Sequence, residues 1–226
     1  MNLVTEQLQD SGYVVIPDVV GIQEIREIAR FVDDHVGSGA GTRRLIERRW
    51  CGELADRLAR DTRLSEALPI DAKSVQCTFF VKSRVNNWLV SLHQDLSIPV
   101  AERVDNPECR GWSEKEGELF VQPPVSILTD VIAVRVHLDD SDERNGALRV
   151  VPGSHLLGRL TADGAMRARE ELGETWVIVP RGGVMVMKPL LLHASSKISS
   201  QNTRRVLHFV FGPTRLACGL RWPAMV

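Results

Sequence analysis

Two histidines and one aspartate are the residues of this chain best suited to hold a metal ion. His93 and Asp95 stand two positions apart in the run His93-Gln94-Asp95, and His193 lies far along the chain. In an extended strand, residues two positions apart point to the same face, so His93 and Asp95 can reach one ion while Gln94 points away. Two imidazoles and one carboxylate form the facial triad that binds non-haem Fe(II) and leaves coordination positions open.

Each of these residues also has a plainer interpretation. A His-x-Asp run is common by chance, so His93 and Asp95 can simply end a strand in solvent or form a satisfied pair. His193 follows the apolar run 184–192, where a lone histidine is more often a core residue than a ligand. The polar stretch 194–197 begins directly after it and indicates a position at the rim of a buried strand.

The strand predicted over residues 204–211 has one apolar face and one mixed face. The apolar face carries Arg205, Leu207, Phe209 and Phe211, whereas the mixed face carries Arg204, Val206, His208 and Val210. A guanidinium is well suited to bidentate carboxylate recognition. Arg204 is therefore predicted to hold a dicarboxylate co-substrate, and Arg205 to form a salt bridge. In the alternative interpretation both are surface arginines of an edge strand.

A second predicted strand, residues 131–138, repeats this pattern. One face is uniformly apolar, whereas Arg135 and His137 lie on the other face, which borders either solvent or the interior. A buried guanidinium needs an anionic partner or a hydrogen-bond network, because an isolated buried charge is costly. We hypothesise that this face, with Arg135 and His137, meets an acidic group of a small-molecule substrate. In the competing interpretation Arg135 pairs with a protein carboxylate or lies at the surface.

Helices are predicted before residue 70 and strands after it. A short strand over 13–16 precedes a helix that begins near Ile22, and 44–68 contains one or two further helices. Turn residues separate the later strand candidates, which are 74–82, 88–95, 125–138, 147–151, 176–180, 183–187 and 204–211. Helices followed by many strands indicate a β sandwich or barrel with helices on one side.

The segment from Ser97 to Glu118 is polar, lacks a clear period and directly follows the His-x-Asp run. A loop of that length inside a compact domain is usually functional or disordered. Two interpretations remain open: a lid over the metal site, or a surface excursion.

Charge and composition argue against two classes of partner. The formal net charge of -1 gives no electrostatic case for nucleic acid, and the basic cluster within residues 43–49 reads as a solvated helix face. Residues 1–10 lack the apolar region of a secretory signal. No apolar run approaches the roughly 18 residues that a membrane span needs. We therefore expect a cytoplasmic protein that binds neither nucleic acid nor membrane.

Several runs together resemble the phytanoyl-CoA dioxygenase family of Fe(II)- and 2-oxoglutarate-dependent oxygenases. The resemblance is spread over most of the chain. It rests on Asp10 to Pro17, on Asn87-Trp88 with His93-Gln94-Asp95-Leu96, on Leu138-Asp139-Asp140 through Asn145-Gly146-Ala147-Leu148, on Val151-Pro152-Gly153-Ser154-His155, and on His193-Ala194-Ser195 with Arg204.

The resemblance implies a double-stranded β-helix, a cupin-like jelly roll with N-terminal helices packed on one sheet. It implies Fe(II) at His93, Asp95 and His193, with 2-oxoglutarate and O2 as co-substrates. Arg204 would contact the distal carboxylate of 2-oxoglutarate, and Ser195 and Gln76 would be further contacts. We expect one domain over 1–226, with a helical buttress over about 18–70 and a jelly-roll core over about 71–215, that hydroxylates a small molecule and releases succinate and CO2.

Two other functions stay open at the level of sequence. A cupin-like metal protein could use the same triad for non-oxidative chemistry, and the absence of an anchoring arginine in the lumen would favour it. A non-catalytic binding protein of the same fold is the other possibility, in which His93 and His193 never meet. A fold by itself does not determine which of these functions is correct.

Overall fold

Antiparallel strands make up most of the computed structural model, which describes residues 3–35, 41–199 and 201–226. The α-helices in these ranges are α1 (Leu3–Ser11), α2 (Ile22–His35), α3 (Arg49–Arg60), α4 (Thr62–Ser65), α5 (Val125–Thr129) and α6 (Ala162–Leu172). The strands are β1 (Tyr13–Ile16), β2 (Gly41–Thr42), β3 (Lys73–Lys82), β4 (Val90–His93), β5 (Ile98–Val100), β6 (Arg110–Lys115), β7 (Glu118–Gln122), β8 (Ile132–His137), β9 (Leu148–Val150), β10 (Thr175–Val177), β11 (Val184–Met187), β12 (His193–Ser195) and β13 (Arg204–Gly212). None of the helices in the described ranges is long and apolar enough to cross a membrane.

Two facing sheets form the jelly roll, and a third sheet extends it. The first has six strands in the order β1-β11-β8-β13-β3-β2, and the second has four in the order β10-β9-β12-β4. The third is the three-stranded sheet β5-β7-β6. Strands distant in sequence are neighbours in both main sheets, as in a double-stranded β-helix. The predicted fold class is therefore confirmed.

The N-terminal helices cover the outer face of the six-stranded sheet. Buried apolar residues recur every three or four positions, as an amphipathic helix requires: Ile25, Ile28 and Val32 in α2, and Cys51, Leu54, Ala55 and Leu58 in α3. They share one apolar cluster with Leu207, Phe209 and Phe211 of β13. The apolar face predicted for residues 204–211 thus packs on the helices, as expected.

The inner face of the same sheet is polar where three strands lie side by side. On β13, the Cα atom of Arg204 pairs with that of Lys82 on β3, and the Cα atom of His208 pairs with that of Arg135 on β8. Directly opposed residues of antiparallel strands project from the same face of a sheet. This register therefore gathers basic side chains from three strands in the lumen.

Several predicted boundaries were wrong. Residues 125–129 form helix α5 rather than strand, and Pro124 in extended conformation immediately precedes it. The strand predicted over 88–95 is shorter and ends at His93. Helices α1 and α6 were not predicted, although Thr161 caps α6 by accepting a hydrogen bond from the backbone of Gly164.

The segment 97–118 is an ordered part of the fold. It contains β5 and β6 and leads into β7, and these strands pack with residues after β13 in a second apolar cluster. Ser97, Ile98 and Lys115 line a cavity that also contains His93 and Asp95. Of the two interpretations of this segment, the structure supports a cover over the site.

Candidate active site

The predicted metal ligands meet at one end of the lumen. Each of His93, Asp95 and His193 offers a ligand atom within 4.8 Å of the other two. Asp95 lies between the histidines, with 3.7 Å from its Oδ1 to His93 Nε2 and 3.7 Å from its Oδ2 to His193 Nε2. Asp95 lies just beyond β4 rather than within it, and His193 begins a short strand of its own.

Strand register explains how the two histidines meet. The Cα atoms of His93 on β4 and His193 on β12 are directly paired, and their ring centroids are 4.2 Å apart. His93 Nδ1 lies 2.8 Å from the carbonyl of Ser91, and His193 Nδ1 lies 2.9 Å from that of Leu191. Because a carbonyl only accepts, Nδ1 carries a proton in both rings, and Nε2 is the atom of each ring that faces Asp95 and would bind a metal ion.

Burial and the contacts among the three ligands shift the pKa of each of them. Burial would raise the pKa of Asp95, but the nearby His193 and His93 hold it well below its usual range. Burial lowers the pKa of His193 to about 4, despite the attraction of Asp95. Burial would also lower the pKa of His93, but the contact with Asp95 outweighs it and raises that pKa. Asp95 is therefore an anion and His193 is neutral near pH 7, as metal ligation requires.

Gln94 points away from the ligands and fixes the chain between them. Its Nε2 donates to the carbonyls of Leu190 (2.7 Å) and Gly158 (2.8 Å), and its Oε1 accepts from the backbone N–H of Leu160 (2.9 Å). The backbone N–H of Asp95 donates to the carbonyl of Pro189 at 2.9 Å. Gln94 is therefore a positioning residue that ties the ligand strand to the neighbouring loops.

A small cavity lies beside the ligands and is rich in basic groups. Its volume is about 160 Å³. It is lined by Phe80, Lys82, Trp88, Val90, His93, Asp95, Arg135, Leu148, His193, Ser195, Arg204 and His208. Of these residues only Asp95 is acidic, whereas Lys82, Arg135 and Arg204 bring three basic side chains. We call this space the cationic cavity.

The basic side chains of the cationic cavity are buried, and no carboxylate in the described part of the chain forms an ion pair with them. Lys82 is 0 % exposed and Arg204 is 3 % exposed. Arg204 Nε and Nη1 and Arg135 Nε form no hydrogen bond with the described residues. Burial, together with the charge of Arg135, lowers the pKa of Arg204 to about 9, and burial lowers the pKa of Arg135 to about 10. Groups arranged in this way call for an anion, because an uncompensated buried charge is costly.

Lys82 was missed by the sequence analysis, although it lies opposite Arg204 in the sheet. Its Nζ donates to Ser195 Oγ (2.6 Å) and to the carbonyl of Ser196 (2.7 Å). Burial and the neighbouring charges of Arg204 and Arg135 lower the pKa of Lys82 to about 7. Ser195 thus lines the cationic cavity, with Lys82 as its partner.

Two turn motifs hold the loop that carries the carbonyl of Ser196. Gly146 has φ +77°, and a Cβ atom there would lie 2.8 Å from the Ser196 oxygen. The side chain of Asn87 forms two hydrogen bonds with the backbone of Ile198, of 3.1 and 2.8 Å. Both motifs therefore act through backbone geometry rather than by contacting a ligand.

Arg205 occupies the opposite face from Arg204. Its guanidinium donates to both carboxylate oxygens of Asp139, at 2.9 and 2.7 Å, and to Asp33 at 2.6 Å. These contacts raise the pKa of Arg205 further. The predicted difference between the two arginines is present in the structure: Arg205 is ion-paired, and Arg204 is not.

Three other predicted residues lie elsewhere than expected. Arg135 lines the cationic cavity, where its Nη1 donates to His208 Nδ1 at 2.9 Å. His137 is buried, borders neither cavity at the metal ligands, and its ring nitrogens have no partner among the described residues. Gln76 lines a different cavity from Arg204.

That second cavity is larger and also borders two of the ligands, His93 and Asp95. Its volume is about 300 Å³, and it shares Phe80, His93, Asp95 and His208 with the cationic cavity. Its remaining lining is Arg43, Gln76, Thr78, Gln94, Leu96, Ser97, Ile98, Lys115, Phe120, Val131, Ala133, Pro189 and Val210. Arg43 was expected on a solvated helix face, but it lies at this cavity and pairs with Glu116. We call this space the outer cavity.

Sequence comparison identifies the family. The profile of the phytanoyl-CoA dioxygenase (PhyH) family matches residues 8–206. The chain belongs to this family. A search of curated proteins found no match.

Solved structures show the same fold as this PhyH-family chain at low sequence identity. Apo EctD from S. alaskensis has a TM-score of 0.68 at 15 % identity, with 98 % of this chain and 84 % of that chain covered. The non-haem α-ketoglutarate-dependent carbocyclase SnoK, from nogalamycin biosynthesis, has a TM-score of 0.66 at 15 % identity, with 93 % and 83 % covered. HygX from Streptomyces hygroscopicus, solved with nickel, 2-oxoglutarate and hygromycin B, has a TM-score of 0.60 at 20 % identity, with 92 % and 87 % covered.

Proposed function

We propose that this protein is an Fe(II)- and 2-oxoglutarate-dependent dioxygenase that hydroxylates a small organic molecule. The observation that carries the proposal is the placement of a two-histidine, one-aspartate cluster beside a cavity of buried, unpaired basic groups. In the overall reaction, R–H, 2-oxoglutarate and O2 give R–OH, succinate and CO2. One oxygen atom of O2 enters the product and the other enters succinate.

The ligand set fits Fe(II). Two imidazoles and one carboxylate are the facial triad that would hold a non-haem Fe(II) ion, and both cavities border His93 and Asp95. His93, Asp95 and His193 would hold the metal, which supplies the site where O2 and the 2-oxo acid react. The protein positions the ligands through Gln94 and through the carbonyls of Ser91 and Leu191.

The charge of the cationic cavity fits a dicarboxylate such as 2-oxoglutarate. Arg204 would donate to the distal carboxylate with its unpaired Nε and Nη1. Lys82 and Ser195 would complete the contacts, and Arg135 adds a third positive charge. Charge balance supports this assignment, because the dianion offsets basic groups that no protein carboxylate neutralises. We propose that the whole chain acts as one catalytic domain, since helices and sheet share a core.

The two alternative functions have less support. A lumen without an anchoring arginine would favour a non-oxidative cupin-like protein, yet Arg204 is buried in the lumen. A scaffold in which the histidines never meet conflicts with a ring separation of 4.2 Å between His93 and His193.

The pH dependence of 2-oxoglutarate binding is expected to depend on Lys82. With a free-protein pKa of about 7, Lys82 is charged at pH 6 and neutral at pH 9. A bound dianion favours the charged form and raises this pKa, so affinity is full below pH 7 and falls as pH rises. The fall approaches about tenfold per pH unit between the free and bound pKa values. Calorimetry in buffers of different ionisation enthalpy would measure the proton uptake.

Two variants distinguish the contribution of Lys82 to 2-oxoglutarate binding from those of Arg204, Arg135 and His208. Lys82→Met is expected to bind 2-oxoglutarate about tenfold or more weakly at pH 6 and to lose the slope above pH 7. Lys82→Arg keeps the charge and is expected to bind at pH 8, above the pKa of Lys82 and below that of Arg204. A wild-type pH profile in Lys82→Met would show that another group titrates.

The direct test of the proposed function is succinate formation. The purified protein is incubated with Fe(II), 2-oxoglutarate, O2 and a panel of small organic molecules. We expect slow succinate release without substrate and faster release with a true substrate, with label from 18O2 in both products. Absence of succinate from protein shown to contain iron and 2-oxoglutarate would contradict the proposal.

A further inference from the structure

Lys115 is a basic residue of the outer cavity that the proposed reaction does not yet use. It ends strand β6, is partly buried, and its Nζ lies 4.7 Å from the ring centroid of Phe120. Both side chains line the outer cavity, next to His93 and Asp95. The ring of Phe120 favours this position of the ammonium group, since a cation is attracted to the face of an aromatic ring.

No acidic side chain pairs with Lys115. No carboxylate of the described residues lies within 4.0 Å of its Nζ, whereas Arg43 at the same cavity is neutralised by Glu116 at 2.6 Å. Glu118 stands opposite Lys115 in the β6–β7 register, but the basic groups that influence its carboxyl are Arg44 and Arg43. Residues 1, 2, 36–40 and 200 include no aspartate or glutamate.

Among the residues that the structure describes, Asp95 is the only acidic one that lines the outer cavity, and the proposed function assigns it to the metal ion. Burial and the charge of Arg43 lower the pKa of Lys115, and the attraction of Asp95 does not offset them. Lys115 is therefore a positive charge at the outer cavity that forms no ion pair with the described residues.

The lining of the outer cavity also includes neutral hydrogen-bonding groups. Gln76 Nε2 donates to Thr78 Oγ1 at 3.0 Å. This contact leaves Gln76 Oε1 as an acceptor and the Thr78 hydroxyl proton as a donor, and both residues line the cavity. At about 300 Å³ the cavity is at the lower end of the range of ligand pockets, about 300–1,000 Å³.

We infer that the outer cavity binds a small substrate that carries an acidic group, which contacts Lys115, and a hydroxyl or amine group, which contacts Gln76. This inference rests on the proposed function, because it assumes that Asp95 is a metal ligand and that the cationic cavity holds 2-oxoglutarate. It assigns the substrate's acidic group to Lys115 rather than to Arg135, which lies on the co-substrate side. An ammonium is a compact point charge that can pair with either a carboxylate or a phosphate monoester.

Binding to the protein loaded with Fe(II) and 2-oxoglutarate under anaerobic conditions tests the inference. The probes are small hydroxy acids, their phosphate-ester counterparts, and the matching neutral amides and amines. Wild-type protein is expected to bind acidic probes at least tenfold more tightly than the amides. Lys115→Met is expected to lose that preference while keeping its affinity for Fe(II) and 2-oxoglutarate. The carboxylate and phosphate arms identify which acidic group is preferred.

Lys73→Met is the matched control, because Lys73 is an exposed lysine at the start of β3 and does not line the outer cavity. It is expected to retain the wild-type preference. Equal binding of amides and acids by wild type, no binding of any acidic probe, or unchanged preference in Lys115→Met would each overturn the inference. Failure of the proposed function is distinguishable, since wild type would then not retain Fe(II) or 2-oxoglutarate before any probe is added.

Discussion

Replacing His193 with alanine is expected to abolish stoichiometric Fe(II) binding and activity while leaving the jelly roll folded. The imidazole lies opposite His93 in the sheet, and its Nε2 is 3.7 Å from Asp95 Oδ2. Loss of a residue that merely supports a ligand costs about 10- to 100-fold in metal affinity, so loss of the ligand itself is expected to cost more than about 100-fold. Anaerobic Fe(II) titration against a competing chelator measures the effect.

His193 is buried, so its replacement also removes packing and the contact of Nδ1 with the Leu191 carbonyl. His193→Gln, which keeps more of the side-chain volume, separates folding from ligation, and circular dichroism monitors both variants. His155→Ala is the matched control, since His155 lies outside the cluster and contacts the carbonyl of Gln9. Wild-type iron content in a folded His193→Ala protein would contradict the metal assignment.

Arg204→Met is expected to weaken 2-oxoglutarate binding by about 30- to 1,000-fold, which corresponds to about 2–4 kcal/mol for a buried charge pair that loses one partner. The free protein should not lose stability, because Arg204 is 3 % exposed, its Nε and Nη1 have no partner, and an unpaired buried charge is unfavourable. Calorimetric titration with 2-oxoglutarate and thermal unfolding of the unliganded protein measure the two effects.

Arg205→Met is the matched comparison, since Arg205 is adjacent to Arg204 in sequence but is ion-paired on the other face of β13. It breaks the contacts with Asp139 and Asp33, so we expect a loss of about 1–3 kcal/mol in the free energy of unfolding and unchanged 2-oxoglutarate affinity. If Arg205→Met lost the co-substrate and Arg204→Met retained it, the assignment of the two faces of β13 would be reversed.

Alternation along one strand is sufficient to predict that these two arginines lie on opposite faces of the sheet. One face of β13 carries Leu207, Phe209 and Phe211, and its apolar character predicts that it packs on the core. Arg204 lies on the other face, which is therefore predicted to line the interior of the barrel. The same reasoning placed His93 near Asp95, although the strand ends between them. Local pattern is informative here because burial on one face of a sheet fixes the strand register.

Lys82, Lys115 and the placement of Arg135 could not be predicted in the same way. Their positions depend on which strands become neighbours, and a strand sequence alone does not specify its partner. Lys82 enters the lumen because β3 lies beside β13. In this register the Cα atom of Lys82 is opposite that of Arg204. Lys115 reaches the outer cavity through the β6–β7 hairpin, in a segment whose sequence shows no clear period.

Anaerobic titration of the iron-loaded protein with 2-oxoglutarate, followed by visible absorption, tests the central claim most directly. A 2-oxo acid that chelates Fe(II) produces a charge-transfer absorption, whereas one bound elsewhere does not. We expect this absorption to appear and to saturate at one equivalent of 2-oxoglutarate, and to be lost in His193→Ala and strongly weakened in Arg204→Met. Retention of both Fe(II) and 2-oxoglutarate by the wild-type protein without this absorption would show that they occupy separate sites, and would contradict the proposed function.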